Sequence, residues 1–209
     1  MELEEHVRRQ PQQTRSQKRF ELILDTAAKL FAEIGYEAAT TNAIAERAGI
    51  SIGSLYRYFP DKEALLGALA QRYVEQTRVI YDRVITEDLV YLPLPVLFDR
   101  VLDPFLEMYQ QYPIYHHLLL GADSSPDIAA AASAVRAESL ERLTGLLRSL
   151  APQLSSERAR LVAAVINATI KALISLLAAS DDPQFGRQAK AEVKRMLLAY
   201  LQPVLAGET

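Results

Sequence analysis

Residues 40–66 read TTNAIAERAGISIGSLYRYFPDKEALL, and the order of small, polar and aromatic residues in this stretch decides the fold. The spacing predicts helix, turn, helix. Thr41 is a candidate N-cap for a first short helix, in which Ile44, Ala45 and Ala48 recur at three- and four-residue steps. Gly49 ends that helix, because a residue just past a helix commonly takes positive φ. Ser51 caps the second helix, Ile52 to Phe59, which turns Leu55 and Phe59 inward and leaves Ile52, Gly53, Ser54, Tyr56 and Tyr58 for other surfaces. A merely solvated helix would carry Glu and Lys there. A glycine, a serine and two tyrosines instead let the helix approach another surface closely and hydrogen-bond to it. Pro60 stops the helix and Asp61 caps the next. Lys62 in that first turn opposes the helix dipole, which suggests an external anion.

These residues resemble the DNA-binding region of the TetR family of bacterial transcription regulators. The family pattern is met from Thr40 or Thr41 through Ala45, Gly49, Ser51, Gly53, Tyr56, Phe59 and Lys62 to Leu65 or Leu66. Ile50 stands where valine is usual, and the gap after Thr41 is one residue short unless Thr40 is the motif's threonine. The resemblance covers roughly residues 15 to 70. It implies an all-α fold: an N-terminal three-helix helix-turn-helix domain joined by a long helix to a C-terminal helical domain for ligand binding and dimerisation. Repression is the family's usual mode.

Outward from the motif, residues 1–13 are expected to be a disordered arm whose Arg8 and Arg9, with Arg15 just beyond, either reach DNA or are simply solvated. Thr14 and Gln17 form a capping box for a helix with Phe20, Ile23, Leu24, Ala27, Leu30, Phe31 and Ile34 on one face, ended by Gly35. Residues 14–60 are thus expected to be one DNA-binding domain and 61–209 the effector and dimerisation domain. A long helix from Asp61 to about Ile85 opens the second part, with no flexible linker. Further helices are expected over the aromatic segment around Phe98 to Tyr109, bent at Pro104, over a short piece from Ile114 to Leu118, and from Ser125–Pro126 onward. Two more run from Ser156 to Ala179 and from about Arg187 to Gln202.

The net charge of −3 divides by region. Residues 8–62 carry nine Lys or Arg against six Asp or Glu, so the basic excess sits with the motif. No cysteine occurs, which excludes disulfides and thiolate metal sites and suits a reducing cytoplasm. The opening residues lack the apolar run of a secretory signal. Residues 161–179, LVAAVINATIKALISLLAA, have the length of a membrane span, but Lys171 alone would cost on the order of 3 kcal/mol in lipid, so a buried bundle helix is expected.

The adjacent His116 and His117 diverge by about 100° on a helix and cannot share a metal. No nucleophile elbow, phosphate-binding glycine loop or His-Glu-x-x-His occurs. Neither a cofactor nor enzyme activity is therefore expected.

The candidate DNA-binding residues are Thr41, Ser51, Ile52, Gly53, Ser54, Tyr56, Arg57, Tyr58 and Lys62. Hydroxyls and the Lys62 ammonium suit phosphates, whereas Ile52, Gly53 and Ser54 suit base edges. Arg57 suits either DNA or a neighbouring acid. Phe98, Leu102, Phe105, Met108, Tyr109, Tyr112, His116, Asn167 and Lys171 are candidates for a ligand pocket, the alternative being core. The last two helices are apolar on most sides. Val162, Ile166, Leu173 and Leu177 make one stripe and Val165, Ala168, Ala172 and Leu176 another. The expected dimer interface is the first stripe with Val193, Met196, Leu197, Tyr200, Leu201 and Val204. The functional expectation is a cytoplasmic homodimer that binds double-stranded DNA at a palindromic operator and is released by a small apolar or amphipathic ligand. The rival is a helical sensor or binding module in which DNA contact is secondary.

Overall fold

The computed structural model describes residues 5–115, 126–180 and 182–207. His116, His117, Leu118, Gly121, Ser125 and Asp181 lie outside the described residues, as do the side chains of residues 5–14, so the expectations for His116, Arg8 and Arg9 are not addressed by it. The described residues form α1 (Glu5–Ile34), α2 (Thr41–Arg47), α3 (Ile52–Tyr56), α4 (Lys62–Val84), a 3₁₀ turn (Glu87–Tyr91), α5 (Leu94–Gln111), α6 (Pro126–Leu150), α7 (Ser156–Ala178) and α8 (Pro183–Ala206). No strand occurs among them.

Two compact units result, Met1–Gln71 and Arg72–Thr209. The division falls inside α4 rather than at residue 60. Leu65, Leu66 and Leu69 of its first turns are buried as part of the first unit's core with Ile23, Leu24, Ala27, Phe31, Ile44, Leu55 and Phe59. Phe20 tilts onto Phe59 with ring centroids 4.9 Å apart. Gly35 and Gly49 carry positive φ of 81° and 65°, which a side chain would resist, and so release the chain from α1 and α2 as expected. α1 itself begins at Glu5, so residues 5–13 continue the helix instead of forming a disordered arm, since Glu, Arg and Gln are good helix formers.

The second unit is a helical bundle. Ion pairs tie α5 to α8 through Asp103–Lys190 and Asp99–Lys194, each at 2.5 Å. Arg142 on α6 reaches Asp82 on α4 at 2.5 Å. α8 starts at Pro183 rather than near Arg187. Asp182 accepts from the Gln184 amide at 2.8 Å, and a capping aspartate followed by proline is a strong helix start.

α7 is the one helix among the described residues long and apolar enough to cross a membrane. In this fold its Val162, Ala163, Leu173 and Ile174 are buried in the bundle. That burial corrects the expected dimer stripe. Val162, Leu173, Leu197, Leu201 and Val204 are interior, and Ile166, Leu177, Val193 and Tyr200 pack half-buried against them. Of that set only Met196 stands fully on the surface, 53% exposed. The first stripe closes the chain's own core because α5, α6 and α8 pack along it. The second stripe faces outward: Val165, Ala168, Ala172 and Leu176 are all exposed, in line with Leu161.

Candidate functional site

The first unit builds its surface from two short helices whose ends are fixed by side chains. Thr40, not Thr41, caps α2: its Oγ1 accepts from the Ala43 amide at 3.1 Å from an extended backbone, φ −121°. Thr41 is thereby the first helical residue, and its hydroxyl lies 3.2 Å from the Tyr56 hydroxyl. Ser51 caps α3, accepting from the Ser54 amide at 3.2 Å. α3 ends at Tyr56, sooner than the sequence pattern suggests, and Phe59 is then held by its amide on the Leu55 carbonyl at 3.0 Å.

With Leu55 and Phe59 buried, Gly53, Tyr56 and Arg57 are exposed and Ile52 is half-buried. Gly53 has ordinary φ, and a Cβ built there meets nothing within 4 Å. A glycine inside a helix costs about 1 kcal/mol against alanine. Nothing among the described residues requires it. Ser54 Oγ is buried without a hydrogen-bond partner. Tyr58 is half-buried, its hydroxyl 3.3 Å from Ser16 Oγ, with the Arg57 guanidinium 5.3 Å from its ring centre. The Ser16 hydrogen bond and then Arg57 lower the phenol's pKa. Ser16, forty-two residues away in sequence, brings α1 beside the α3 region, which no spacing in the sequence signals.

Lys62 is committed internally. Its Nζ donates to the Tyr36 carbonyl at 2.8 Å and the Glu37 carbonyl at 3.3 Å, and sits 4.2 Å above the Tyr36 ring. The lysine in the first turn of α4 is thus explained by acceptors within the chain. Burial, and then Glu63, raise the Tyr36 pKa.

The second unit contains a cavity of about 420 Å³, within the usual range for small-molecule sites. Phe98, Leu102, Phe105 and Tyr109 of α5 line it, as do Asn167 and Lys171 of α7. Met108 is buried and Tyr112 half-buried, and neither lines the cavity; Tyr112 instead stacks at 5.1 Å on Tyr115 and beneath Arg72. The opposite wall, missed from sequence, comes from α4 and α6: Thr77, Tyr81, Ser139, Leu140, Leu143 and Leu147. The three-residue recurrence of leucines on α6 was the available signal.

A polar row crosses this wall. Tyr81 donates to Ser139 Oγ at 2.5 Å, and Ser139 donates to Asn167 Oδ1 at 2.6 Å. Burial pushes the Tyr81 phenol up to about 12, against the opposing Ser139 bond. Deeper burial drives Tyr109 and Tyr73 well above the ordinary value, their hydroxyls 2.7 Å apart.

Residues 93–201, just over half the chain, match the tetracycline repressor-like C-terminal domain, and residues 23–69 match the bacterial regulatory proteins of the tetR family. The HTH-type transcriptional repressor KstR of Rhodococcus jostii is 50% identical over 52 residues, 24% of this chain and 24% of KstR. An uncharacterised HTH-type regulator of Bacillus subtilis, YuxN, is 46% identical over 56 residues, 27% of this chain and 19% of YuxN. The matched segment thus spans about a fifth to a quarter of these curated relatives. A tetR-family regulator from Streptomyces coelicolor shares the fold, with a TM-score of 0.70 at 21% identity, covering 92% of this chain and 84% of that one. Two capped short helices bearing an internally unneeded glycine, followed by a helical bundle, are what both halves of the match describe: the chain belongs to the TetR family of DNA-binding transcription regulators.

Proposed function

We propose that the chain is a repressor that binds a palindromic operator as a homodimer, through α2 and α3, and is released when a small apolar or amphipathic ligand fills the cavity of the second unit. Gly53 carries the DNA side of this reading: an open, exposed glycine of ordinary φ is useful to a surface that meets another backbone or base edge closely. Thr41, Ser51, Ile52, Tyr56, Arg57 and Tyr58 surround it, with Lys62 as a positioning residue. Ser54 stands beside them, its Oγ without a hydrogen-bond partner.

The dimer reading rests on the second stripe of α7, with Met196 of α8 also exposed. Leu161 and Leu176 are 53% and 45% exposed, an apolar line that a second copy would cover. Two-fold symmetry then requires half-sites about one DNA turn apart or a multiple of it. A ligand shifts the equilibrium only through its different affinities for the two states; moving the DNA-competent form from about 99% to about 1% takes roughly 5.5 kcal/mol, shared by two sites per dimer. The cavity touches Thr77 and Tyr81, and these belong to α4, one unbroken helix from Lys62 to Val84. The protein acts by binding, in the cytoplasm, without a cofactor. Fluorescence anisotropy with the DNA upstream of its own gene tests the reading: saturable, salt-sensitive binding lost in Gly53→Glu supports it, and binding unaffected by that change refutes the assignment of α3.

A further inference from the structure

The cavity has two chemically different ends, and the helix directions show which residues share each. α6 and α7 run antiparallel, since Ser139 pairs with Asn167 and Glu141 with Arg160. Arg136, one turn before Ser139, and Lys171, one turn after Asn167, therefore fall at one level. α4 runs parallel to α6, because Arg78 meets Glu138 and Asp82 meets Arg142. Thr77, one turn before Tyr81, belongs to that same level.

Each of the three is uncommitted. Thr77 is only 3% exposed, and its Oγ1 is buried with no hydrogen-bond partner. A buried hydroxyl left so keeps the full penalty of its lost hydration, and a ligand atom would relieve it. Among the described residues, Arg136 and Lys171 are the only charged residues lining the cavity, and neither is placed in an ion pair or hydrogen bond there. In the other direction along α6 the wall is Leu143, Leu146, Leu147 and Leu150, with no polar group between them.

Resting on the ligand-responsive reading above, we propose that the effector is an amphipathic anion: a hydrocarbon-bodied carboxylate whose head meets Lys171 and Arg136, with Thr77 donating to it, and whose tail lies along the α6 leucines. A cationic ligand would face two like charges with no compensating acid. A neutral alcohol satisfies Thr77 and leaves both cations unpaired. Arg136 is exposed and Lys171 half-buried, so the head lies toward solvent and the advantage of charge is moderate.

Titration calorimetry of the full chain with dodecanoate, dodecanol and dodecylammonium, below their micellar concentrations, decides the matter. Dodecanoate is expected to bind about tenfold more tightly than dodecanol, and dodecylammonium not to bind measurably. Lys171→Met and Arg136→Met should each remove most of that advantage while leaving dodecanol affinity within about twofold. Equal affinity for the acid and the alcohol overturns the anionic head but leaves a ligand cavity in place. Dodecanoate binding undiminished in Val101→Trp, which fills the cavity, overturns the location itself. Failure of all three compounds to bind overturns the ligand-responsive reading.

Discussion

Lys62 Nζ sits 2.8 Å from the carbonyl oxygen of Tyr36 and caps the loop that leads from α1 into α2. Two of its three N–H donors are spent on the Tyr36 and Glu37 carbonyls. Lys62→Ala should therefore destabilise the first unit by about 1–3 kcal/mol, the range for losing hydrogen bonds from a charged donor. The slope of log K against log salt should fall by less than the roughly two units expected if each subunit lost a phosphate contact. Thermal unfolding and a salt series of anisotropy titrations measure the two effects separately. A full two-unit drop with unchanged stability would return Lys62 to the DNA interface.

Gly53 separates folding from binding in the opposite sense. Open space surrounds its missing Cβ, so Gly53→Ala should stabilise the chain by up to about 1 kcal/mol. Operator affinity should nevertheless fall, and Gly53→Glu should abolish it at any salt. Paired melting curves and anisotropy check this, and a more stable Gly53→Ala that also binds DNA more tightly would contradict it.

The two stripes of α7 make contrasting predictions. Val165→Glu with Leu176→Glu places charge on exposed positions and should yield folded monomers with weakened DNA binding. Leu197→Glu buries a carboxylate at a site 2% exposed and should unfold the second unit. Sedimentation read beside circular dichroism distinguishes them: a dimer that survives the α7 double change puts the interface elsewhere.

Tyr81, Tyr73 and Tyr109 give the chain an alkaline limit. Their folded pKa values lie above the ordinary 10.0, with Tyr81 near 12, so the unfolded state releases its phenolic protons first. The stability is intact below pH 10 and drains away as pH rises from 10 towards 12. Ultraviolet absorbance of tyrosinate should show these groups ionising together with loss of helix.

Much of the first unit was legible because its signals are local. Gly35 and Gly49 mark positive φ, Ser51 and Asp61 mark helix starts, and each lies within a few residues of what it controls. The partner of Lys62 lay twenty-six residues upstream and the partner of Tyr58 forty-two, distances at which no periodicity speaks. The same limit explains the α7 stripes. Val162 and Val165 are equally apolar, and only the positions of α6 and α8 decide that the first is interior and the second exposed. In the cavity, the α5 aromatics announced themselves by composition, but Thr77 looked like any helical threonine until its hydroxyl was seen to have no partner.

The Tyr73 and Tyr109 hydroxyls, 2.7 Å apart, join α4 to the cavity wall by one hydrogen bond. Tyr109 belongs to the cavity wall and Tyr73 to α4, so a molecule that displaces the Tyr109 ring strands a deeply buried phenol on α4. Breaking that bond costs about 1–3 kcal/mol, roughly 5- to 150-fold in apparent affinity. A solute that merely occupies space leaves this bond intact, whereas one large enough to shift the ring must offset its loss.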